Sequence, residues 1–287
     1  MKLKPWLAFA LITTISWGVW GALIEIPEKA GFPATMGYIV WAITMIIPAV
    51  FALKRINWKL DTNKISVRYG LLIGLSGSAG QLILFQALRT GPAYLVFPIV
   101  SLSPIVTIFL SILILKEKAS LKSWIGIIIA LIAIPLLSYQ PAGNGQKFGI
   151  LWIFLALVVF LMWGIQAYFM KVANNHMKAE SIFFYMMISG LALIPVAYFM
   201  TDFSQPINWG MKGPYLAAGI QILNSIGALF IVYAFRYGRA IIVSPLTNAG
   251  APVITIVLSL LIYGVFPHSI ILTGMVLAVT AIFFLAD

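Results

Sequence analysis

Ser78-Ala79-Gly80, Ala87-Leu88-Arg89-Thr90-Gly91, Val96-Phe97-Pro98 and Pro104-Ile105-Val106-Thr107-Ile108 follow one another in the first half of the chain, and the second half repeats them. There they read Ser225-Ile226-Gly227, Ala234-Phe235-Arg236-Tyr237-Gly238, Val243-Ser244-Pro245 and Pro252-Val253-Ile254-Thr255-Ile256. The copies stay 147 residues apart from Ser78 and Ser225 to Pro98 and Pro245, then 148 apart from Pro104 and Pro252 to Gly126 and Gly274. A single inserted residue between the two prolines of the second copy accounts for the change. Trp17-Gly18 matches Trp163-Gly164 at 146, so the correspondence covers both halves, 1–145 and 146–287, and the chain reads as a duplicated unit.

The solvent follows from composition. Of 287 residues, 62% are hydrophobic and 9% charged, with mean hydropathy +1.05, against about 25% charged in soluble domains. An all-α integral membrane protein is expected. Ten apolar stretches, 6–25, 36–53, 67–88, 93–115, 121–139, 148–170, 181–200, 213–235, 240–263 and 268–286, approach the roughly 20 residues that cross hydrocarbon. None alternates like a barrel strand, so each reads as a helix whose backbone satisfies itself in lipid. The run after Met1-Lys2-Leu3-Lys4 lacks a small-residue cleavage site and reads as a retained first span.

The net charge of +11 sets topology in such a chain and does not call for a nucleic-acid partner. With ten spans, fourteen of the eighteen Lys and Arg fall on one side, leaving Lys29, Arg89, Lys147 and Lys212 on the other. Both termini are therefore expected in the cytoplasm, with the chain in the plasma (inner) membrane. Five spans per half, an odd number, invert the second copy relative to the first. Two inverted five-helix repeats are a recurrent build of secondary transporters, which move small molecules by alternating access.

The stretch Ala87-Leu88-Arg89-Thr90-Gly91-Pro92-Ala93, with Ser103-Pro104-Ile105-Val106-Thr107 and Lys116-Glu117-Lys118-Ala119-Ser120, resembles EamA-type members of the drug/metabolite transporter superfamily. In that family a basic residue closes the third helix, a proline interrupts the fourth and a Gly-Glu-Arg-like signature follows. The resemblance runs over essentially the whole chain. It implies ten helices in two halves and a transport function, with a leaning towards export of amino acids or related metabolites. One departure stands out: after span 9 the chain reads Tyr263-Gly264-Val265-Phe266-Pro267, with no counterpart of Glu117. Glu117 is accordingly read as a loop residue pairing with Lys116, Lys118 or Lys122.

Polar residues within the spans mark the candidate substrate cavity. Trp17 and Trp20 in span 1 face a matched set, Trp163 and Gln166, in span 6. Gln81, Gln86, Gln221 and Asn224 lie in spans 3 and 8, where side-chain amides at depth must face the bundle or water, and one or two of them are expected to bind substrate; Tyr233 of span 8 joins the cavity candidates. Pro98 and Pro104 bracket Ser101 and Ser103, and Pro245 and Pro252 bracket Thr247 and Asn248. Each proline removes an amide donor and frees a carbonyl, so these four are read as hinges. Helix packing is the competing reading for the tryptophans and amides alike.

No Asp or Glu lies in the middle of a span. Glu25, with Arg89, is the candidate for ion coupling, and interface residues are the alternative. A neutral or zwitterionic solute fits this lack of central charge. A sugar or polyol uptake permease of the same fold is the second reading, because tryptophan faces suit sugar rings. No cysteine is present, and the two histidines have no partners at metal-ligand spacing, so neither metal nor cofactor is expected. No nucleophile constellation, paired carboxylates or phosphate loop points to an enzyme. A homo-oligomer is left open.

Overall fold

Two short helices meet in a way that reveals the symmetry of the molecule. A methyl group placed on Gly126 would meet Phe284 and Leu285, and one placed on Gly274 would meet Leu136 and Leu137. Every residue in the first contact lies 148 positions from its counterpart in the second. This reciprocal contact is what a twofold axis between the helices produces. The start of each helix touches the end of the other, so the pair is antiparallel.

The computed structural model describes residues 4–91, 93–139, 149–264 and 266–285. Among the described residues there is no strand, and ten apolar helical segments make up the fold. They are α1 (Pro5–Lys29), α2 (Ala34–Arg55), α3 (Lys64–Thr90), α4 (Leu95–Leu113), α5 (Leu121–Leu137), α6 (Leu151–Ala173), α7 (Ala179–Phe199), α8 (Met211–Tyr237), α9 (Ala240–Tyr263) and α10 (Ser269–Leu285). Eight are long and apolar enough to cross a membrane. The other two, α5 and α10, have 17 residues each, about 25 Å of helix against a hydrocarbon core of about 30 Å. They are the pair that packs across the axis.

Local chemistry sets the helix starts. The Asn63 side chain accepts from Ser66 N at the head of α3, and Ser120 does the same for Ser123 N at the head of α5. At Gly31 the chain takes φ +92°, a left-handed value that glycine adopts freely, and turns from α1 into α2. Large apolar side chains such as Phe51, Phe109, Phe154 and Phe283 stand exposed on the outside of the bundle, as a lipid-facing surface requires.

The halves are interleaved. α1 packs against α8 and α9 of the second half, while α6 packs against α3 and α4 of the first. Glycines let these crossings close. Gly18 lies against Ile254 and the Ala251 carbonyl, and Gly164 lies against Val106 and the Ser103 carbonyl. Thr255 Oγ1 donates to Gly18 O at 2.9 Å and Thr107 Oγ1 to Gly164 O at 3.0 Å, the same bond made once per half. With no apolar driving force between helices in lipid, close backbone approach and interhelical hydrogen bonds of this kind hold the bundle.

The matched proline pairs behave differently. α4 breaks at Leu102 and Ser103, whereas α9 runs unbroken through Pro245 and Pro252. The expected interruption is therefore confined to one copy, and the inserted residue explains it. Seven residues separate Pro245 from Pro252, within about 20° of two full turns, so both distort the same face of one helix. Six separate Pro98 from Pro104, about a third of a turn out of phase, and the second proline starts a new helix.

Candidate functional site

The two matched tryptophans occupy matched seats. Trp17 Nε1 donates to Asn224 O at 3.3 Å and Trp163 Nε1 to Gly77 O at 3.4 Å. A side chain at Gly227 would strike the Trp17 indole, and one at Gly80 the Trp163 indole. Both rings are thus wedged into the α1–α8 and α6–α3 crossings, which favours the packing role over a free aromatic wall. Trp20 Nε1 donates to Gln221 Oε1 at 2.9 Å, and Gln221 Nε2 to Gly37 O at 3.2 Å. Gln221 is spent on structure.

Four other amides are not. Gln81 and Gln86 on α3, Gln166 on α6 and Asn224 on α8 are half-buried, and among the described residues their side chains take part in none of the hydrogen bonds. Gln166 lies on the backbone of Gly77, one turn from Gln81. Asn224 lies beside Trp17 on the other wing of the bundle. Those wings, α1 with α8 and α6 with α3, meet chiefly where α6 and the residue after it bond to α8 through Lys171 and Asn174; neither α3 with α8 nor α1 with α6 forms a substantial contact among the described residues. Amides at such depth need partners, and here water or solute can supply them.

The remaining cavity candidates turn inward on their own helices. Ser101 Oγ donates to Pro98 O, Thr247 Oγ1 to Val243 O and Ser244 O, and Asn248 Nδ2 to Ser244 O. Ser138 Oγ of the segment after α5 donates to Ser101 Oγ at 3.1 Å. Ser103 is buried at the α4 break. Tyr233 lies away from this region, at the face where α7 begins, and its hydroxyl donates to Glu180 Oε1 at 2.7 Å.

That face is rich in cations and tied shut. Glu180, 8% exposed, also faces Arg55 Nε at 3.8 Å, and the Arg55 guanidinium lies over the Tyr233 ring. Lys171 Nζ donates to Phe235 O at 3.0 Å and Gly238 O at 2.6 Å, bracing the end of α8. Asn174 Nδ2 donates to Val232 O, and Arg236 Nη1 to Met177 O. Glu117 takes neither end of a loop ion pair as its main contact. Its two oxygens accept from Ala240 N and Ile241 N at 3.1 Å each, capping α9 from the α4–α5 loop. Lys116, at φ +56°, turns the chain there, and Arg239 donates to Lys118 O.

The opposite face is joined by Asn208 Nδ2 donating to Ala30 O, by the Thr35 and Thr201 hydroxyls and by Tyr263 OH donating to Ala22 O, but its matched positions are less buried. Ile231 to Phe235 are all buried, whereas of their counterparts Leu84 to Leu88 only Leu84 and Ala87 are. Ile242, Ser244, Pro245 and Leu246 are buried, and their counterparts Leu95, Phe97, Pro98 and Ile99 are not. Glu25 pairs with Lys29 at 2.6 Å on an exposed turn, and Arg89 is exposed near Asp202. The Ser204 hydroxyl and amide, with Arg89, hold the Asp202 carboxyl below its usual range. Glu25 and Arg89, the candidates for ion coupling, thus each lie near a group of opposite charge, Lys29 and Asp202.

Sequence reasoning missed Glu180, Lys171 and Asn174. A signal existed for one of them: Lys171 stands 146 positions after Glu25, a matched site with its charge reversed.

Comparison with known proteins gives three findings. The family model described as the EamA-like transporter family matches residues 4–139 and again 150–286. An uncharacterized protein of Methanocaldococcus jannaschii is 35% identical over 106 residues, covering 37% of this chain and 77% of that protein. A solved structure, titled only as the crystal structure of a protein, superposes with a TM-score of 0.77 at 16% identity, covering 96% of this chain and 95% of the other; that likeness concerns the fold alone.

Proposed function

The chain belongs to the EamA-like transporter family, and from that premise we propose that it is a secondary carrier that moves a small neutral or zwitterionic metabolite across the cytoplasmic membrane by alternating access. The family is one of membrane transporters, so a small-molecule substrate and the lipid bilayer are its partners. In this reading all ten helices cross, residues 1–145 and 146–287 form the two inverted units, and both termini are cytoplasmic. An amino acid or related compound is the favoured substrate and export the favoured direction.

One observation carries the reading: Gln81, Gln86, Gln166 and Asn224 are half-buried amides whose side chains make no hydrogen bond among the described residues, and they are distributed over both wings of the bundle. They offer donors and acceptors without charge. The deeper burial of the α8–α9 junction than of its α3–α4 counterpart supports a carrier open towards the side of Arg89 and Lys29. A sugar or polyol permease remains the second reading, since hydroxyls suit the same amides; the tryptophans favour it less once their indoles are seated on glycines.

Asn224→Leu and Gln166→Leu test this. With no protein partner lost, each is expected to leave the thermal unfolding midpoint of the purified protein within a few degrees while lowering flux at least about tenfold, the equivalent of about 1.4 kcal/mol in transition-state binding. Flux is measured in proteoliposomes against a panel of amino acids, sugars and nucleosides. Wild-type flux in both variants, or a panel in which nothing moves, overturns the proposal.

A further inference from the structure

The connectors that lead from α2 to α3 and from α7 to α8 are each pinned to a turn of the opposite half. In the first connector Asp61 Oδ2 accepts from Lys178 N at 2.8 Å and from Ser181 Oγ at 2.9 Å, at the start of α7. In the second, Asn208 Nδ2 donates to Ala30 O at 2.9 Å and the Asn208 amide to Gly31 O at 3.0 Å, just past the end of α1. Asp61 and Asn208 stand 147 positions apart, and so do Gly31 and Lys178. One clamp is thus built twice, once from each half. Its chemistry follows the polarity of the helix end it grips. A helix start presents unpaired amides and partial positive charge, which a carboxylate complements; a helix end presents carbonyls, which an amide donor complements.

The two clamps are not equal. The Asp61 amide also donates to Ser181 Oγ, Tyr185 OH to Asp61 O and Lys178 Nζ to Lys59 O. The counterpart of Ser181 is Ala34, which has no hydroxyl to offer, and Tyr38, the counterpart of Tyr185, donates to Gly190 O instead. Hydrogen bonds to an ionised acceptor are roughly twice as strong as neutral ones, so the Asp61 clamp outweighs the Asn208 clamp. On the carrier reading, on which this inference rests, the two lie on opposite faces, and their difference biases the equilibrium between the two open states. We propose that Asp61 is a positioning residue of the transport cycle: its grip on the start of α7 holds the basic face closed at rest, and Asn208 does the same, more weakly, for the other face.

Asp61→Asn and Asn208→Asp test this in the full-length protein carrying Ile242→Cys, a position 5% exposed on α9, outside both clamps, in a chain with no other cysteine. Asp61→Asn keeps an acceptor but loses the charge, and is expected to speed maleimide labelling of position 242 several-fold. Asn208→Asp sets a carboxylate against two carbonyls at the other face, and is expected not to speed it. If Asp61→Asn proves unstable, Ser181→Ala, which removes only the hydroxyl, carries the test, with a smaller acceleration in the same direction. Unchanged labelling in the Asp61 and Ser181 variants, or equal acceleration by Asp61→Asn and Asn208→Asp, overturns the proposal. Flux in proteoliposomes separates this from the carrier reading: unchanged labelling together with wild-type transport by the Asp61 variant sinks the clamp and leaves the carrier standing.

Discussion

Trp17 and Trp163 show how far a repeated sequence can be read at the level of single residues. Their matched spacing was legible, because an offset of 146 needs only the letters. Their role was not, since the offset says that two residues are equivalent but not what either touches. Each indole is seated on a glycine of the other half, at Gly227 and Gly80, so the pair is a structural joint. Gly227→Val is accordingly expected to destabilise by about 1–3 kcal/mol, the usual cost of overpacking, read as a lowered unfolding midpoint in detergent; an unchanged midpoint contradicts the wedge. Trp163→Ala, in turn, is expected to lower stability and flux together. The amides divide in the same way: Gln221 is bonded at both ends of its amide and Asn224 at neither, a difference that chain position alone does not encode.

Between α4 and α9 the argument moves to the element. The proline pairs were legible as hinges, and the inserted residue was visible in the change of offset, but its consequence depends on helical phase. Since only α4 breaks, Pro104→Ala is expected to slow turnover several-fold in a proteoliposome assay, and Pro252→Ala to do so less; equal effects contradict the phase argument. Glu117 illustrates the opposite limit. The resemblance singled it out, yet its partners are backbone amides 123 and 124 positions away, invisible to any local reading. Glu117→Gln keeps one acceptor and loses the charge that complements the α9 N-terminus, a contribution of about 1 kcal/mol. The basic face is then expected to open more often. A cysteine introduced by Ile242→Cys, at a position 5% exposed in a chain with no other cysteine, is expected to react with maleimide several-fold faster in that background; unchanged reactivity contradicts the role of Glu117 as a latch.

For the molecule as a whole, membrane character and duplication were legible, because composition and repeats are properties of the entire string. What the string does not show is that symmetric sequences hold asymmetric contacts. Lys171 braces α8 where its counterpart Glu25 cannot donate to a carbonyl, and Glu117 has no counterpart at all, so the two faces are held by different contacts. Two copies inserted in opposite orientation, each able to close one face, form the basis of the proposed cycle. The most direct test places single cysteines at the two equivalent helix ends, by Arg89→Cys and Arg236→Cys, and labels intact cells with a membrane-impermeant maleimide. The cysteine at position 89 is predicted to react at once and that at 236 only after the membrane is permeabilised; labelling of both from the same side contradicts inverted insertion and the carrier mechanism built on it.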